Sequence, residues 1–342
     1  MGNQTFKTFS IVDFLKMTSQ PDFSKLVAKE HAQVLAVQLP GTFACFSRHE
    51  NSSKNRHDDV PCWDISRVIL SPQSATYDDE DWDSSNITTR SAEISSTYIH
   101  ANLVDGFEEI NKFICSQGPK KNSHEDFWKM VSEQESCIIV SLTETDDEDQ
   151  VCYEYWAKEE DYELAFGRYI VKTLEIKEEP SFTRTRLRLT DVNSGTSREI
   201  HHFWYTHWPD YGTPTNPAEI LNLISQVNQK REEIRKTDCQ PGPIVVHSSA
   251  GIGRTGAFCT IDNALSQLRK EKSVSLPQTV LKIRKQRHSS VFLPEQYAFC
   301  YETLAHALMT EVKEIAANQL SPDAITLEPE TYNSQRKRLR VL

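Results

Sequence analysis

Residues 247–256 constrain this chain more than any other stretch, because they place three glycines and an arginine between two strongly patterned segments. They read His-Ser-Ser-Ala-Gly-Ile-Gly-Arg-Thr-Gly. Residues 243–246, just before them, form a short apolar run that is typical of a strand buried on both faces. Apolar side chains then recur at helical spacing at Phe258, Ile261, Leu265 and Leu268. The pattern predicts a strand, a glycine-rich turn and a helix that begins at residues 254–256.

Such a turn is a site for an anion, because it points several backbone N–H groups and the positive end of a helix dipole into one concavity. Glycine at positions 251 and 253 lets a phosphate approach the backbone closely. The planar guanidinium of Arg254 can hold two phosphate oxygens at once, which a lysine cannot do. The predicted phosphate-binding residues are Ser248, Ser249, Ala250, Gly251, Ile252, Gly253 and Arg254.

Two other interpretations of the same turn stay open at this point. The spacing Gly251-x-Gly253-x-x-Gly256 matches the dinucleotide-binding fingerprint, although an arginine inside the turn is foreign to that fingerprint. A structural turn without a ligand is the second interpretation, and it leaves three glycines and a buried arginine without a partner that explains them.

The ten residues resemble the phosphate-binding loop of the protein tyrosine phosphatases, in which a cysteine follows the histidine and attacks phosphorus. Here Ser248 occupies the position of that cysteine. A thiol, whose free pKa is about 8.5, can be ionised by such a loop, whereas an alkyl hydroxyl needs an adjacent general base. His247 is the nearest candidate base, but the resemblance implies that it points into the fold and orders the loop. We therefore expect phosphate binding without turnover.

Further segments resemble the same family in the same order, from residue 23 to residue 308. Trp208-Pro209-Asp210 resembles the mobile loop whose aspartate protonates the leaving oxygen, which implies that Asp210 is an inherited general acid. The resemblance implies one α/β domain, with a central twisted mixed sheet flanked by helices and the phosphate loop between a strand and a helix N-terminus. We expect neither a cofactor nor a metal. The other matching segments are residues 98–102, 113–119, 127–128 and 155–156.

Several recognition and catalytic positions depart from the family pattern. His57 replaces the tyrosine that walls the pocket, while Asp59 retains the aspartate that resembles the clamp on the substrate backbone. Phe292 stands where a glutamine positions the hydrolytic water, and only the second glutamine, Gln296, is retained. Val151 replaces a lysine that meets the mobile-loop aspartate. Each departure has a simpler alternative: the imidazole can still stack, the alignment at Phe292 can be shifted by one residue, and Val151 lies beside a variable acidic loop.

Four altered positions at once favour a natural chain released from selection for turnover over a single laboratory Cys-to-Ser change. A bare catalytic domain with such a site resembles the phosphatase-like proteins carried by bracoviruses of parasitoid wasps. That resemblance implies delivery into a host insect cell and interference with signalling, immune-cell adhesion or phagocytosis. The leading hypothesis is a pseudophosphatase whose partners are phosphotyrosine-containing proteins. The alternatives are a weakly active protein-tyrosine-phosphate hydrolase and a scaffold that binds independently of phosphate.

The motifs run from residue 54 to residue 297 without a linker, so the 342 residues are predicted to form one domain. Its limits are placed at residues 23–308, between an N-terminal extension of residues 1–22 and a flexible tail of residues 309–342. Apolar residues at near-helical spacing after Pro21 predict an N-terminal helix. The acidic clusters at residues 78–83 and 146–149 are predicted to be solvated loops.

The net charge of −11 argues against nucleic acid and acidic membranes as partners. All apolar runs have strand length, which predicts no membrane insertion. Eight scattered cysteines are interpreted as reduced thiols of an intracellular protein. These features predict the cytoplasm, specifically that of the host cell if the chain is viral, and the basic run at residues 336–340 leaves nuclear import as an alternative.

Overall fold

The computed structural model describes residues 6–72, 97–146, 148–209, 212–237 and 240–319, with side chains to residue 314. In these ranges the helices are α1 (Ile11–Thr18), α2 (Phe23–Leu35), α3 (His124–Glu133), α4 (Pro217–Arg235), α5 (Gly253–Glu271), α6 (Leu276–Gln286) and α7 (Pro294–Gln319), with one 3-10 helix at His49–Lys54. The strands are β1 (Phe9–Ser10), β2 (Arg67–Ile69), β3 (Tyr98–Gly106), β4 (Glu109–Gln117), β5 (Ile138–Ser141), β6 (Glu163–Phe166), β7 (Tyr169–Glu178), β8 (Thr183–Asp191), β9 (Thr196–Trp204), β10 (Ile244–Ser248) and β11 (Ser273–Val274).

The main sheet has the strand order β2-β3-β4-β10-β5-β9-β8-β7-β6 in the part of the chain that the structure describes. Strand β10 lies near its centre and runs parallel to both of its neighbours, β4 and β5. The outer pairs are antiparallel. The mixed sheet flanked by helices that the sequence predicted is therefore confirmed.

Apolar side chains cover both faces of this sheet. On one face they belong to a large core that includes α4, α5 and α7, and on the other to a second core built around Phe127 and Trp128 of α3. All five residues of β10 are buried, as expected for a central parallel strand. The chain after β10 therefore emerges at the carboxyl edge of the sheet, where the loop of residues 248–253 leads into α5.

The folded unit extends beyond the limits of residues 23–308 that the sequence suggested. Strand β1 pairs with β11, and Phe14 of α1 is fully buried with its ring stacked on Tyr301 at 5.5 Å. At the other end, α7 continues past residue 308 to Gln319. Residues 320–342, which hold the basic run, lie outside the described residues.

In the acidic segment at residues 146–149, Asp146 and Asp149 are not simply solvated. Asp146 accepts hydrogen bonds from the backbone N–H groups of Gln150, Val151 and Cys152, and Asp149 forms an ion pair with Arg56 at 2.8 Å. These carboxylates therefore shape the turn and anchor a buried guanidinium. The other acidic cluster, at residues 78–83, lies outside the described residues.

The cysteines of the described ranges are all free thiols, and only Cys45 among them is not buried. Cys239 lies outside these ranges. Within them, no helix is both long enough and apolar enough to cross a membrane.

Candidate functional site

The glycine-rich loop is shaped by the protein behind it. Gly251 has a φ of +67°, and a Cβ at this position would lie 2.0 Å from the carbonyl oxygen of Ser116 in β4. A Cβ on Gly253 would lie 2.5 Å from Nε2 of Gln296. We expected these glycines to make room for a phosphate. The structure shows that the backbone of β4 by itself requires glycine at position 251, whereas a side chain at position 253 would displace only the flexible end of Gln296.

Ser248 ends β10 at the base of this loop and is only 2% exposed. Its Oγ accepts a hydrogen bond from the backbone N–H of Gly251 at 3.2 Å and lies 3.1 Å from Oγ1 of Thr255. In the described ranges no histidine or carboxylate forms a hydrogen bond with this hydroxyl. Among the described residues, therefore, no general base is placed to take the proton of Ser248.

His247, the nearest imidazole in sequence, points away from the serine hydroxyl. Its Nε2 lies 2.6 Å from the hydroxyl of Tyr155, which also lies 2.7 Å from Nε2 of His202. Burial, together with the smaller effect of the charges of Arg56 and Arg254, lowers the pKa of His247 to about 3. The ring is therefore neutral and held within the core.

Arg254 lies in the first turn of α5 and is 8% exposed. Its Nη1 donates to the backbone oxygen of Trp208 at 3.4 Å, which connects the loop to the Trp208-Pro209 segment. The indole of Trp208 donates in turn to the carbonyl of Gly212 at 3.2 Å. Asp210, the predicted general acid, lies outside the described residues.

A second segment of the site, residues 54–59, is held against the loop by Arg56. The Arg56 guanidinium donates to the carbonyl oxygens of Gly118 and Pro119, at 3.2 and 2.8 Å. The backbone N–H of Gly118 donates to the carbonyl of Ser249 at 3.0 Å. One buried cation thus fixes the distance between the recognition segment and the phosphate loop.

The two recognition residues predicted in this segment have different exposures. His57 is half-buried, and its pKa is lowered by burial and by the charge of Arg56, while Asp59 raises it. Asp59 itself is exposed. An uncharged imidazole beside an exposed carboxylate is compatible with a wall and a backbone clamp, the roles expected for these residues.

The C-terminal segment brings Gln296 and Phe292 to the loop. Gln296 is 4% exposed and packs on Gly253, and its Oε1 accepts no hydrogen bond from the described residues. The backbone N–H of Val291 donates to the carbonyl of Ile252 at 3.1 Å, so Phe292 follows directly after a loop contact. Phe292 is 43% exposed, and it has no polar group to hold a water molecule.

Val151 lies beside Gly118 and the turn that Asp146 shapes. Its carbonyl oxygen would lie 3.0 Å from a Cβ built on Gly118, and its N–H donates to Asp146. The valine is half-buried and cannot supply the cation that the family places at this position.

Arg287 is a member of the site that sequence reasoning missed. It is fully buried, and its guanidinium donates to the carbonyl oxygens of Gly251 and Ala250 at 2.9 and 3.1 Å. It also donates to Asn102 Oδ1 at 2.8 Å and contacts Nδ1 of His100 at 3.1 Å. Arg287 therefore holds the loop from behind, where its carbonyl oxygens would otherwise be buried without donors. Its spacing gave no signal, since it stands in a run of basic residues.

The arrangement of loop and helix is typical of an anion-binding site. The loop leads into the N-terminus of the 19-residue helix α5, whose first turn carries Arg254, and both features favour a tetrahedral oxyanion. Within the described ranges, no group of three or more His, Cys, Asp or Glu side chains is arranged to hold a metal ion.

Comparison with known proteins shows a similarity to tyrosine phosphatases over most of the chain. A family model described as protein-tyrosine phosphatase matches residues 51–306. "Tyrosine phosphatase H3" of Microplitis demolitor bracovirus (isolate Webb) is 68% identical over 316 residues, which cover 92% of this chain and 99% of that protein. "Tyrosine phosphatase-like protein H1" of the same virus is 55% identical over 311 residues, or 90% of this chain and 88% of that protein. Human "Tyrosine-protein phosphatase non-receptor type 9" is 35% identical over 286 residues, or 81% of this chain and 45% of that protein.

Proposed function

Since this chain belongs to the protein tyrosine phosphatase family, we propose that it is a pseudophosphatase, which binds phosphotyrosine-containing proteins at the loop of residues 248–254 without hydrolysing them. The observation that carries this proposal is the environment of Ser248. Its hydroxyl stands at the end of β10, where the family has its nucleophile, and its neighbours there are Thr255 and the N–H of Gly251. A hydroxyl with these neighbours is not ionised near neutral pH.

Binding is favoured by the same geometry that disfavours chemistry. A phosphotyrosine carries a charge of about −1.5 to −2 at neutral pH, so a thiolate at position 248 would repel it whereas the Ser248 hydroxyl does not. The N-terminus of α5 and the Arg254 guanidinium in its first turn favour phosphate oxygens as ligands. The loop is also preorganised by Arg287 and Gly251, so little conformational entropy is lost on binding.

Besides the nucleophile, two further side chains that support hydrolysis in the family are replaced in this chain. Phe292 stands where the family places the glutamine that orients water, and Val151 replaces the lysine that supports the general acid. Only groups that bind the transition state more strongly than the ground state accelerate a reaction. The apolar side chains of Phe292 and Val151 offer no such group. Loss of turnover with retained binding follows.

The biological role that we infer is interference with signalling in a host insect cell, such as suppression of immune-cell adhesion or phagocytosis, with the host cytoplasm as the place of action. This inference is supported by the relatives, since the proteins that are 68% and 55% identical to this chain both come from a bracovirus. A protein that occupies phosphotyrosines shields them from other binding domains and from active phosphatases.

Isothermal titration with a blocked Ala-Ala-pTyr-Ala-Ala peptide and its unphosphorylated form tests the binding. We expect binding of the phosphorylated peptide alone, weakened about tenfold or more by Arg254→Lys, which keeps the charge but loses the bidentate contact. Equal affinity for both peptides would favour a phosphate-independent scaffold and would contradict the proposal.

Turnover of a small aryl phosphate tests the absence of chemistry in the same preparation. The parent chain should show background activity, and Ser248→Cys should restore a burst of phosphoenzyme formation because the loop lowers the pKa of a thiol. Adding Phe292→Gln to Ser248→Cys should raise steady-state turnover by about 10² to 10⁴. Parent activity that Ser248→Ala abolishes would instead identify a weak hydrolase, as the name of the 68% identical relative suggests.

A further inference from the structure

The α6–α7 turn, residues 287–293, packs against the second half of the phosphate loop. The backbone N–H of Val291 donates to the carbonyl of Ile252 at 3.1 Å. A Cβ built on Gly256 would lie 2.8 Å from the Cβ of Ser290 and 2.9 Å from the backbone nitrogen of Val291. The third glycine of the motif is therefore required by contact with this turn, and the turn in turn fixes the carbonyl of Ile252.

Val291 has an unusual backbone conformation for its residue type. Its φ is +52°, in the left-handed region, and its side chain is fully buried. A β-branched residue strongly disfavours this region, because its side chain crowds the neighbouring backbone. Such a conformation persists only where the surrounding contacts hold it. The contacts of Val291 therefore decide whether its N–H keeps facing the carbonyl of Ile252.

The contact on the carbonyl side of Val291 comes from the N-terminal part of the chain. His31 of α2 is 2% exposed, and its Nε2 lies 2.8 Å from the carbonyl oxygen of Val291. Burial lowers the pKa of His31, so the ring is neutral at pH 7, and its single N–H lies on Nε2 because a carbonyl oxygen only accepts. The ring also packs on Tyr297 of α7, with 4.9 Å between the ring centroids. Helix α2 thus holds the residue that holds Ile252.

The preceding residues of the α6–α7 turn have other hydrogen bonds. Nη1 of Arg284 donates to the carbonyl of Ser290 at 2.9 Å, and Oγ of Ser290 donates to the carbonyl of Arg287 at 2.8 Å. These bonds anchor the first part of the turn, whereas the contact with His31 acts on Val291 itself.

We propose that His31 is a positioning residue of the phosphate loop. By donating to the carbonyl of Val291, it holds that residue in the left-handed conformation in which the N–H of Val291 faces Ile252. Without this donor Val291 relaxes to a negative φ, its peptide groups rotate, and the second half of the loop loses a contact. Because a binding site needs its groups held to within about 0.5 Å, the affinity for a phosphate then falls. The effect on affinity rests on the proposed phosphotyrosine binding.

Isothermal titration of the full chain with tungstate, and with the blocked Ala-Ala-pTyr-Ala-Ala peptide, tests this role. His31→Phe keeps an aromatic ring beside Tyr297 but removes the donor, and we expect it to weaken the binding of both ligands about tenfold or more. His31→Gln supplies an amide donor and should bind within about threefold of the parent. Unchanged affinity in His31→Phe, or an equal loss in His31→Gln, would overturn the proposal.

Val291→Gly distinguishes positioning from a general loss of packing. Glycine adopts a positive φ without strain, so in this variant position 291 needs no contact to hold its conformation. His31→Phe should therefore change the affinity by less than about threefold in the Val291→Gly background. Equal losses in the two backgrounds would show that His31 acts through packing alone. The comparison of His31→Phe with His31→Gln leaves position 291 unchanged, so it decides the proposal if Val291→Gly does not fold.

Val171→Ala is the matched control for lowered stability. Val171 is fully buried in β7, which is separated from β10 by three strands of the sheet. Its truncation should lower the free energy of unfolding and leave the affinity for tungstate unchanged. A loss of affinity in Val171→Ala equal to that in His31→Phe would show that global destabilisation alone weakens binding, which would contradict the proposal.

Hydrogen exchange gives a readout that needs no ligand. In His31→Phe the N–H of Val291 should lose protection relative to the amides of β10, whereas in Val171→Ala both should lose protection together. If the parent binds neither tungstate nor the peptide, the proposed phosphotyrosine binding is wrong, and hydrogen exchange decides whether His31 positions the loop. Selective loss of protection at Val291 supports that role, and a parallel loss in β10 overturns it.

Discussion

At the scale of single residues, buried histidines make the stability of the fold depend on pH. His100 is 2% exposed; its Nε2 contacts the carbonyl of Val60 at 2.8 Å and its Nδ1 faces Arg287 at 3.1 Å. Burial, together with the smaller effect of the charge of Arg287, lowers the pKa of His100 to about 3. His247 has a similarly low pKa of about 3, again chiefly because of burial. The native state therefore holds these rings neutral, with His100 donating from Nε2 and accepting at Nδ1.

This arrangement predicts loss of stability in mild acid. A histidine whose pKa is about 6.5 when unfolded and about 3 when folded gains a proton on unfolding below pH 6.5, so its contribution is complete above that pH and is lost as the pH falls toward 3. His100→Gln keeps a donor and an acceptor but cannot titrate. We expect the slope of unfolding free energy against pH, between pH 6 and 4, to fall by about 1.4 kcal/mol per pH unit in this variant.

Urea unfolding at a series of pH values measures that slope. The control is His49→Gln, because His49 is exposed in the 3-10 helix and should leave the slope as it is. If His100→Gln changes the stability equally at every pH, the imidazole is not the titrating group and the low pKa is contradicted.

At the scale of elements, the strand–loop–helix unit depends on contacts with β4 and with the segment after α6. Gly251 combines a left-handed φ with close contact to the backbone of Ser116. Gly195, in the turn between β8 and β9, has nearly the same φ of +68°, yet nothing lies within 4 Å of a Cβ built there. A substitution at Gly195 therefore tests backbone strain alone, whereas a substitution at Gly251 tests strain together with a steric clash.

We expect Gly195→Ala to cost about 1–2 kcal/mol of unfolding free energy, which is the strain of a left-handed residue alone. Gly251→Ala should cost at least about 3 kcal/mol and should abolish the tungstate-induced thermal shift, because the loop must move away from β4. Both quantities are measured by urea unfolding and by thermal melts with and without tungstate. Equal costs for the two variants would show that the loop relaxes without losing its shape.

At the scale of the whole molecule, the N-terminal segment is part of the core. Phe14 stacks on Tyr301, and the hydroxyls of Tyr297 and Tyr301 both donate to Glu30 of α2, at 2.7 and 2.5 Å. Helices α1 and α2 thus cover α7, which in turn begins with the Gln296 region at the phosphate loop. We therefore expect a loss of packing between α1, α2 and α7 to disturb the Gln296 region of the site.

The variant Phe14→Ala is therefore expected to lower the free energy of unfolding by about 3–5 kcal/mol, as large-to-small changes in a packed core do. Val12→Ala is the matched control on the same helix, because Val12 is 50% exposed and its truncation should change stability by less than about 0.5 kcal/mol. Urea unfolding of both variants measures these changes in the free energy of unfolding. A negligible effect of Phe14→Ala would restore the simpler interpretation of residues 1–22 as a separate extension.

Much of the site could be predicted from sequence because its central residues are consecutive. The apolar run, the glycines and the helical spacing that begins near Arg254 place β10, the loop and α5 within a few residues of where they lie. The roles of Ser248, His57 and Phe292 stay predictions, since they depend on a ligand. Arg287 could not be predicted, because a basic residue in a basic run looks the same whether it is exposed or buried.

The sequence by itself determined the family and the strand–loop–helix unit, since side-chain periodicity and glycine spacing depend only on residues close together in the chain. The tertiary structure alone decided that Ser116 forbids a side chain at position 251, that Arg287 holds the loop from behind, and that α1 belongs to the core. Those outcomes depend on contacts between segments far apart in the chain, where packing and the pairing of buried polar groups select among the arrangements that local preference allows.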